Sequence, residues 1–311
     1  MRIAVIGAGG VGGPFGSALA RSGEDLWFLA RGAHLDTIRK SGLTVTGARG
    51  NFHLDNVQAT DSPEEIGKVD FVLFTPKLWD VEATGLAIKP LLDSHTGVVT
   101  LQNGVDAPDR LASVIGRDAV IPGVAVINAA IEAPGRIQQM GEYQNLTFGE
   151  FDGVESGRVQ ALLASCEAAG IEARISANII KDLWEKFVFL VSVSSLTAAS
   201  RQRMGYIRTD PDSRATLMRL LGEVAAVGRA HGVPLADNLA ETRLAMIDGQ
   251  NAESIASMTI DLLRGNRLEL PWLAGKAVAL GIEHNVETPA LQTLLGVLKP
   301  YAMGPAELPK V

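Results

Sequence analysis

Three groups of residues in this 311-residue chain have the types and spacing for chemistry. The first is Gly7-Ala8-Gly9-Gly10-Val11-Gly12, with G-x-G-x-x-G spacing. Gly7 permits a tight turn, Gly9 lets a pyrophosphate approach the backbone, and Gly12 lets a helix pack on its sheet. A helix opening there offers unpaired N–H groups and a positive dipole end to phosphates. A Gly-rich turn without a ligand is the bland alternative. The motif follows a predicted strand and opens a predicted helix, which favours dinucleotide binding.

The second is Arg31, in Ala30-Arg31-Gly32, 19 residues after Gly12. NAD enzymes usually place an acidic residue there for the ribose 2′-hydroxyl, and FAD enzymes want one too. A guanidinium instead pairs with a 2′-phosphate. The pattern predicts NADP(H), against the alternative of a solvated surface arginine.

The third group is polar residues in telling places. Lys77 and Asn103, the latter in Gln102-Asn103-Gly104, each follow a predicted strand. That is the edge of a doubly wound sheet where ligands bind. An ordinary loop lysine and an Asn-Gly turn are their alternatives. Lys186 lies in Leu183-Trp184-Glu185-Lys186-Phe187-Val188-Phe189-Leu190, on a helix apolar over most of its circumference. It either snorkels to the surface or faces a cleft, where desolvation lowers its pKa and suits it to general-acid work. Glu269, between leucines, either fixes a lysine or binds a hydroxyl, or else favours a helix N-terminus.

These residues need elements to hold them. Short apolar runs at Arg2–Ile6, 26–29, Phe71–Phe74, 98–101 and 119–126 alternate with helical patterns at 10–22, 32–41, 80–92 and 104–114. That alternation predicts a mostly parallel, doubly wound sheet. Residues 135–149 read as an antiparallel hairpin around a polar centre, and 171–175 as a last strand. From 177 onward the spacing is helical through 180–200, 212–231, 238–247, 252–263, 268–281 and 288–303. Asp210-Pro211 and Thr288-Pro289 read as helix starts, and Gly232, Gly265 and Gly281 as helix ends. The expected organisation is an α/β dinucleotide-binding domain over 1–176 and an all-α domain over 177–311. A cleft between two domains is the usual place for a site.

Composition narrows the function. Asp+Glu 35 against Lys+Arg 28 gives a net charge of -7. Without clustered basic residues, that argues against nucleic acid and anionic membranes as partners. The apolar stretch 187–199 is too short to span a bilayer and carries serines. No signal peptide is evident, so the expected location is cytoplasmic. A single cysteine, Cys166, excludes an intrachain disulfide. Five scattered histidines predict no metal site. Ser192, Ser194 and Ser195 lack a G-x-S-x-G context, so hydrolase chemistry is unsupported.

Taken together, the motifs resemble the 2-dehydropantoate 2-reductase (ketopantoate reductase) family along essentially the whole chain. The matching features are the glycine loop, Ala30-Arg31-Gly32, Lys77, Gln102-Asn103-Gly104, Ala129, Pro134-Gly135, Trp184-Glu185-Lys186, Ser257-Met258 and Glu269. The resemblance implies a Rossmann domain and a helical domain of the 6-phosphogluconate dehydrogenase C-terminal type. It implies NADPH-dependent reduction of a 2-oxo acid to a 2-hydroxy acid, by a monomer or a homodimer. By the same resemblance Lys186 is the proton donor, and Asn103 touches both cofactor and substrate. Ser254 and Ser257 hold the substrate, and Lys77, Ala129 and Glu269 lie along the cofactor. The chain departs from the family four and eight residues after the lysine. Family members usually carry asparagines there that contact the substrate, where this chain has Leu190 and Ser194. Either another side chain supplies that contact or the substrate is a less hydroxylated 2-oxo acid. A non-enzymatic NADP(H)-binding sensor is the alternative of a different class.

Overall fold

The apolar runs of the first half form strands covered on both faces. In this computed structural model, which describes residues 1–306, the strands are β1 (Arg2–Ile6), β2 (Asp25–Leu29), β3 (Leu43–Gly47), β4 (Phe52–Leu54) and β5 (Gln58–Thr60). They continue with β6 (Phe71–Phe74), β7 (Gly97–Thr100), β8 (Val120–Ala133), β9 (Arg136–Phe148) and β10 (Glu172–Ile175). One sheet takes them in the order β4-β3-β9-β8-β7-β6-β1-β2-β5, with β10 beside β9. Its β5-β2-β1-β6-β7-β8 stretch is wholly parallel and has the Rossmann order. Ile3, Ala4 and Val5 in β1, and Val72, Leu73 and Phe74 in β6, are fully buried. Such two-sided burial is why these strands read as continuous apolar runs.

Helices α1 (Gly12–Arg21), α2 (Gly32–Ser41), α3 (Pro63–Ile66), α4 (Val81–Ala87), α5 (Ala107–Ile115) and α6 (Gly157–Ala168) join the strands. Glycine brings α1 down onto the sheet. A Cβ on Gly16 would stand 2.7 Å from the Phe28 ring and 2.8 Å from Val5. Cys166 is fully buried in α6, and burial pushes its thiol up to about 12, so it is an inert core residue.

The structure corrects three local expectations. Residues 135–149 are not a hairpin of their own. They form the single strand β9, paired antiparallel with β8, which runs to Ala133 rather than stopping at 126. The turn is Pro134-Gly135, with Gly135 at φ 70°. Ile137 and Gln139 face inward while Arg136, Gln138 and Met140 face out, so the polar stretch is ordinary strand alternation. Strands β3, β4 and β5 arise from segments whose pattern did not predict strands. Gly281 lies inside a helix rather than at its end, where a Cβ would meet the Val286 carbonyl oxygen at 2.8 Å.

After β10 every regular element among the described residues is helical. They are α7 (Ile179–Ser200), α8 (Met204–Thr209), α9 (Pro211–Ala230), α10 (Leu239–Asp248), α11 (Ser257–Leu263), α12 (Ala274–Glu283) and α13 (Pro289–Leu298). Asp210 caps α9 by accepting from the Ser213 amide at 2.8 Å, with Pro211 at the first helical position. The chain separates into two compact units, Met1–Asp182 and Leu183–Val311. No described helix is long and apolar enough to cross a membrane.

Candidate active site

In the first unit the glycine loop leaves β1 and enters α1. Gly7 has φ 100°, a conformation L side chains rarely adopt. Its amide donates to the Leu29 carbonyl at 2.9 Å, which ties the loop to β2. The Thr75 hydroxyl lies 2.8 Å from the Ile6 carbonyl oxygen and 2.9 Å from that of Gly7, and supports the loop from beneath. A Cβ on Gly12 would come within 2.6 Å of that hydroxyl and would also strike the Gly7 carbonyl. A Cβ on Gly10 would collide with the Ala129 carbonyl, so the loop lies directly against β8. Gly9 differs from these. A Cβ there meets nothing within 4 Å, and its open side is available for a ligand to approach the backbone. No side chain caps α1, and its first turn holds no acidic residue. The opening of α1 therefore suits an anion.

Beside the loop is a cavity of about 270 Å³ lined by Gly7, Ala8, Gly9, Arg31 and Lys77 among others. Arg31 stands at the N-cap of α2, and Lys77 precedes a short 3-10 turn beyond β6. The Lys77 ammonium lies 5.8 Å from the centre of the Trp79 ring. Five of the residues expected to bind cofactor thus share one concavity. Gly10, Val11, Gly12, Asn103 and Ala129 do not line it. Asn103 is half-buried beyond the end of β7, on the same edge of the sheet. Open backbone at Gly9, an uncapped helix start and two cations together suit an anionic dinucleotide.

Sequence reasoning missed His34, Asp80, Thr84 and Ile131, which also line this cavity. His34 has a definite proton assignment. Its Nδ1 accepts from the Gly135 amide at 3.1 Å, so its Nε2 carries the hydrogen donated to the Ala8 carbonyl at 2.8 Å. The imidazole thereby links the glycine loop to the β8–β9 turn. Its place three residues after Arg31, at the start of α2, was the available signal.

The second unit holds Lys186 and Glu269. Lys186 sits on α7, whose neighbouring residues Trp184, Phe187 and Val188 are buried. Burial pushes the Lys186 ammonium down to about 8, and the Glu269 carboxylate opposes that fall. Glu269 is only 7% exposed. It precedes the start of α12 at Ala274 by five residues, outside that helix's first turn. Its carbonyl accepts from the Trp272 and Leu273 amides at 3.0 and 3.1 Å. A buried carboxylate influencing a desolvated ammonium is a pair able to store and deliver a proton near neutral pH.

Leu190 and Ser194 follow Lys186 along the same face of α7. Leu190 is half-buried and has no polar atom to offer. The Ser194 hydroxyl is buried and points to the Val191 carbonyl of its own helix at 3.4 Å. Ser254 is half-buried and uses its carbonyl to accept from the Met204 amide at 3.0 Å. Ser257 is exposed at the start of α11. Among the described residues no cluster of His, Cys, Asp and Glu could hold a metal ion.

Comparison with known proteins agrees across the chain. The family model for ketopantoate reductase PanE/ApbA matches residues 3–153, and that for the ketopantoate reductase PanE/ApbA C terminal matches 178–302. A 2-dehydropantoate 2-reductase from Archaeoglobus fulgidus is 30% identical, covering 97% of this chain and 98% of that protein. The uncharacterized oxidoreductase YkpB of Bacillus subtilis is 27% identical over 97% of this chain and 99% of its own length. The crystal structure of 2-dehydropantoate 2-reductase from Geobacter metallireducens superposes with a TM-score of 0.90 at 32% identity. It covers 96% of this chain and 99% of that one.

Proposed function

The chain belongs to the ketopantoate reductase PanE/ApbA family, and from that premise we propose that it reduces a 2-oxo acid to the 2-hydroxy acid with NADPH, Lys186 supplying the proton. The observation that carries this reading is the desolvated Lys186 ammonium, held at about 8 with Glu269 working against its burial.

When bound, the nicotinamide supplies the hydride. The chain's own residues do the rest. The opening of α1 and Gly9 receive the pyrophosphate, and Arg31 and Lys77 supply positive charge for the phosphates. Arg31, standing where an acid would favour NAD, supports NADPH as the preferred donor. Asn103 is assigned to orient the ketone. As negative charge develops on the ketone oxygen, the Lys186 ammonium neutralises it and transfers a proton from Nζ. Glu269 keeps enough of Lys186 protonated for this to happen near neutral pH. Ser254 and Ser257 are the assigned partners of the substrate's polar groups.

2-Dehydropantoate is the default substrate. Leu190 favours a second reading within the same class. Its side chain cannot hydrogen-bond, and the neighbouring Ser194 hydroxyl turns to its own helix. A 2-oxo acid without the corresponding hydroxyl fits that face better.

The Lys186→Met variant tests the assignment. It should bind NADPH as the wild type does and lose turnover by 100-fold or more, about the loss expected on removing a general acid. Full activity in the variant would sink the assignment.

A further inference from the structure

The cavity that presents Arg31 and Lys77 also presents a carboxylate, Asp80. The sequence has no acid at the end of β2, and that absence is the basis for expecting NADPH. The fold restores a negative charge from the other side of β1. Strand β6 flanks β1 opposite β2, and the segment beyond β6 carries Asp80 into the same concavity.

The carboxylate has no evident duty in the fold. Asp80 occupies the N-cap position of α4, where an aspartate usually accepts from a first-turn amide, yet its side chain makes no capping bond. Its backbone amide donates to the Lys77 carbonyl at 2.9 Å, which fixes the turn and leaves the side chain out of it. Thr84, one helical turn further on, also lines the cavity, so this face of α4 is turned toward the space.

A 2′-phosphate carries close to two negative charges, and NADH has a hydroxyl in its place. In a water-exposed cavity, repulsion by Asp80 would cost NADPH roughly three- to tenfold in affinity at low ionic strength. We propose that Asp80 opposes Arg31 in setting the nucleotide preference, so that the chain accepts NADH as well as NADPH. This rests on the nucleotide site proposed above.

Direct binding tests it, with NADPH and NADH each titrated by fluorescence against the wild type and Asp80→Asn, at low and at high salt. The expected result is NADPH tightened about three- to tenfold by the substitution and NADH by less than twofold, the difference shrinking as salt rises. Asp80→Ser, which keeps a residue suited to the N-cap, should behave like Asp80→Asn. If both nucleotides bind and their ratio stays within about twofold in both variants, Asp80 is not the determinant and the nucleotide site stands. If neither nucleotide binds the wild type, the functional reading and this inference fall together.

Discussion

Replacing Glu269 with Gln removes the negative charge that opposes the desolvation of Lys186, while nearly preserving the side chain's shape. The fall of the ammonium from 10.5 to about 8 corresponds to about 3 kcal/mol in favour of the neutral amine. With a carboxylate still pulling the other way, burial alone would take it further. Loss of that charge should lower it by about one more pH unit. A general acid works only while protonated. Reduction in the wild type should therefore be full below about 8 and fall as pH rises through that value. In Glu269→Gln the falling limb should begin about one pH unit earlier, with the acid-side plateau retained. The assay is NADPH consumption against pH, at saturating 2-oxo acid, for both proteins. Stability gives an independent readout with its own sign. The native state loses the proton at about 8 and an unperturbed lysine near 10.5, so between those values the unfolded chain binds more protons. Stability attributable to this group therefore rises with pH across that window and is lowest below it. Lys186→Met alone leaves the Glu269 carboxylate buried without its partner, so it should lose turnover and be less stable at pH 7 than Lys186→Met combined with Glu269→Gln, by about 1–3 kcal/mol. A Glu269→Gln limb at the wild-type position, or a single Lys186→Met protein more stable at pH 7 than the double variant, would refute the reasoning.

Other substitutions test the nucleotide and substrate sites. Gly10→Ala drives a Cβ into the Ala129 carbonyl, and backbone cannot swing away as a side-chain tip can. NADPH affinity by titration should drop by roughly tenfold or more as the loop is displaced. Arg31→Ala should weaken NADPH by about 10- to 100-fold and NADH far less, the loss expected for a charge-assisted pair. Equal losses would remove the argument for a 2′-phosphate. Leu190→Asn should raise kcat/KM for a hydroxylated 2-oxo acid relative to an unhydroxylated one by about tenfold, measured as a ratio in one protein preparation.

How much of this was legible in the sequence follows from burial and chain locality. β1 and β6 were readable because two-sided burial leaves uninterrupted apolar runs. The glycine loop was readable because each glycine answers a local steric demand. α7 and α9 were readable from helical spacing, with Asp210-Pro211 marking the start of α9. Phe52–Leu54 and Gln58–Thr60 were not, being three-residue strands with no full period of alternation. The second half of β8 was missed because Val126, Asn128 and Ile131 are exposed and the strand ceases to look like core. Lys186 stood out as a charge among apolar neighbours. Asp80 did not, because the sheet order alone carries it to the cavity that Arg31 lines, and His34 left only the weak mark of its place three residues after Arg31. The direction of the Ser194 hydroxyl was equally hidden, since an i−3 carbonyl competes with any outside partner without leaving a mark in the sequence.

The central claim, 2-oxo acid reduction by NADPH, is tested most directly by turnover of the purified protein across a panel of 2-oxo acids. The panel should hold 2-dehydropantoate and acids of similar size without its hydroxyl, each followed by NADPH consumption and identification of the 2-hydroxy acid. The account predicts saturable reduction of at least one panel member. Tight NADPH binding with no 2-hydroxy acid formed from any of them would contradict it and leave a nucleotide-binding protein without this chemistry.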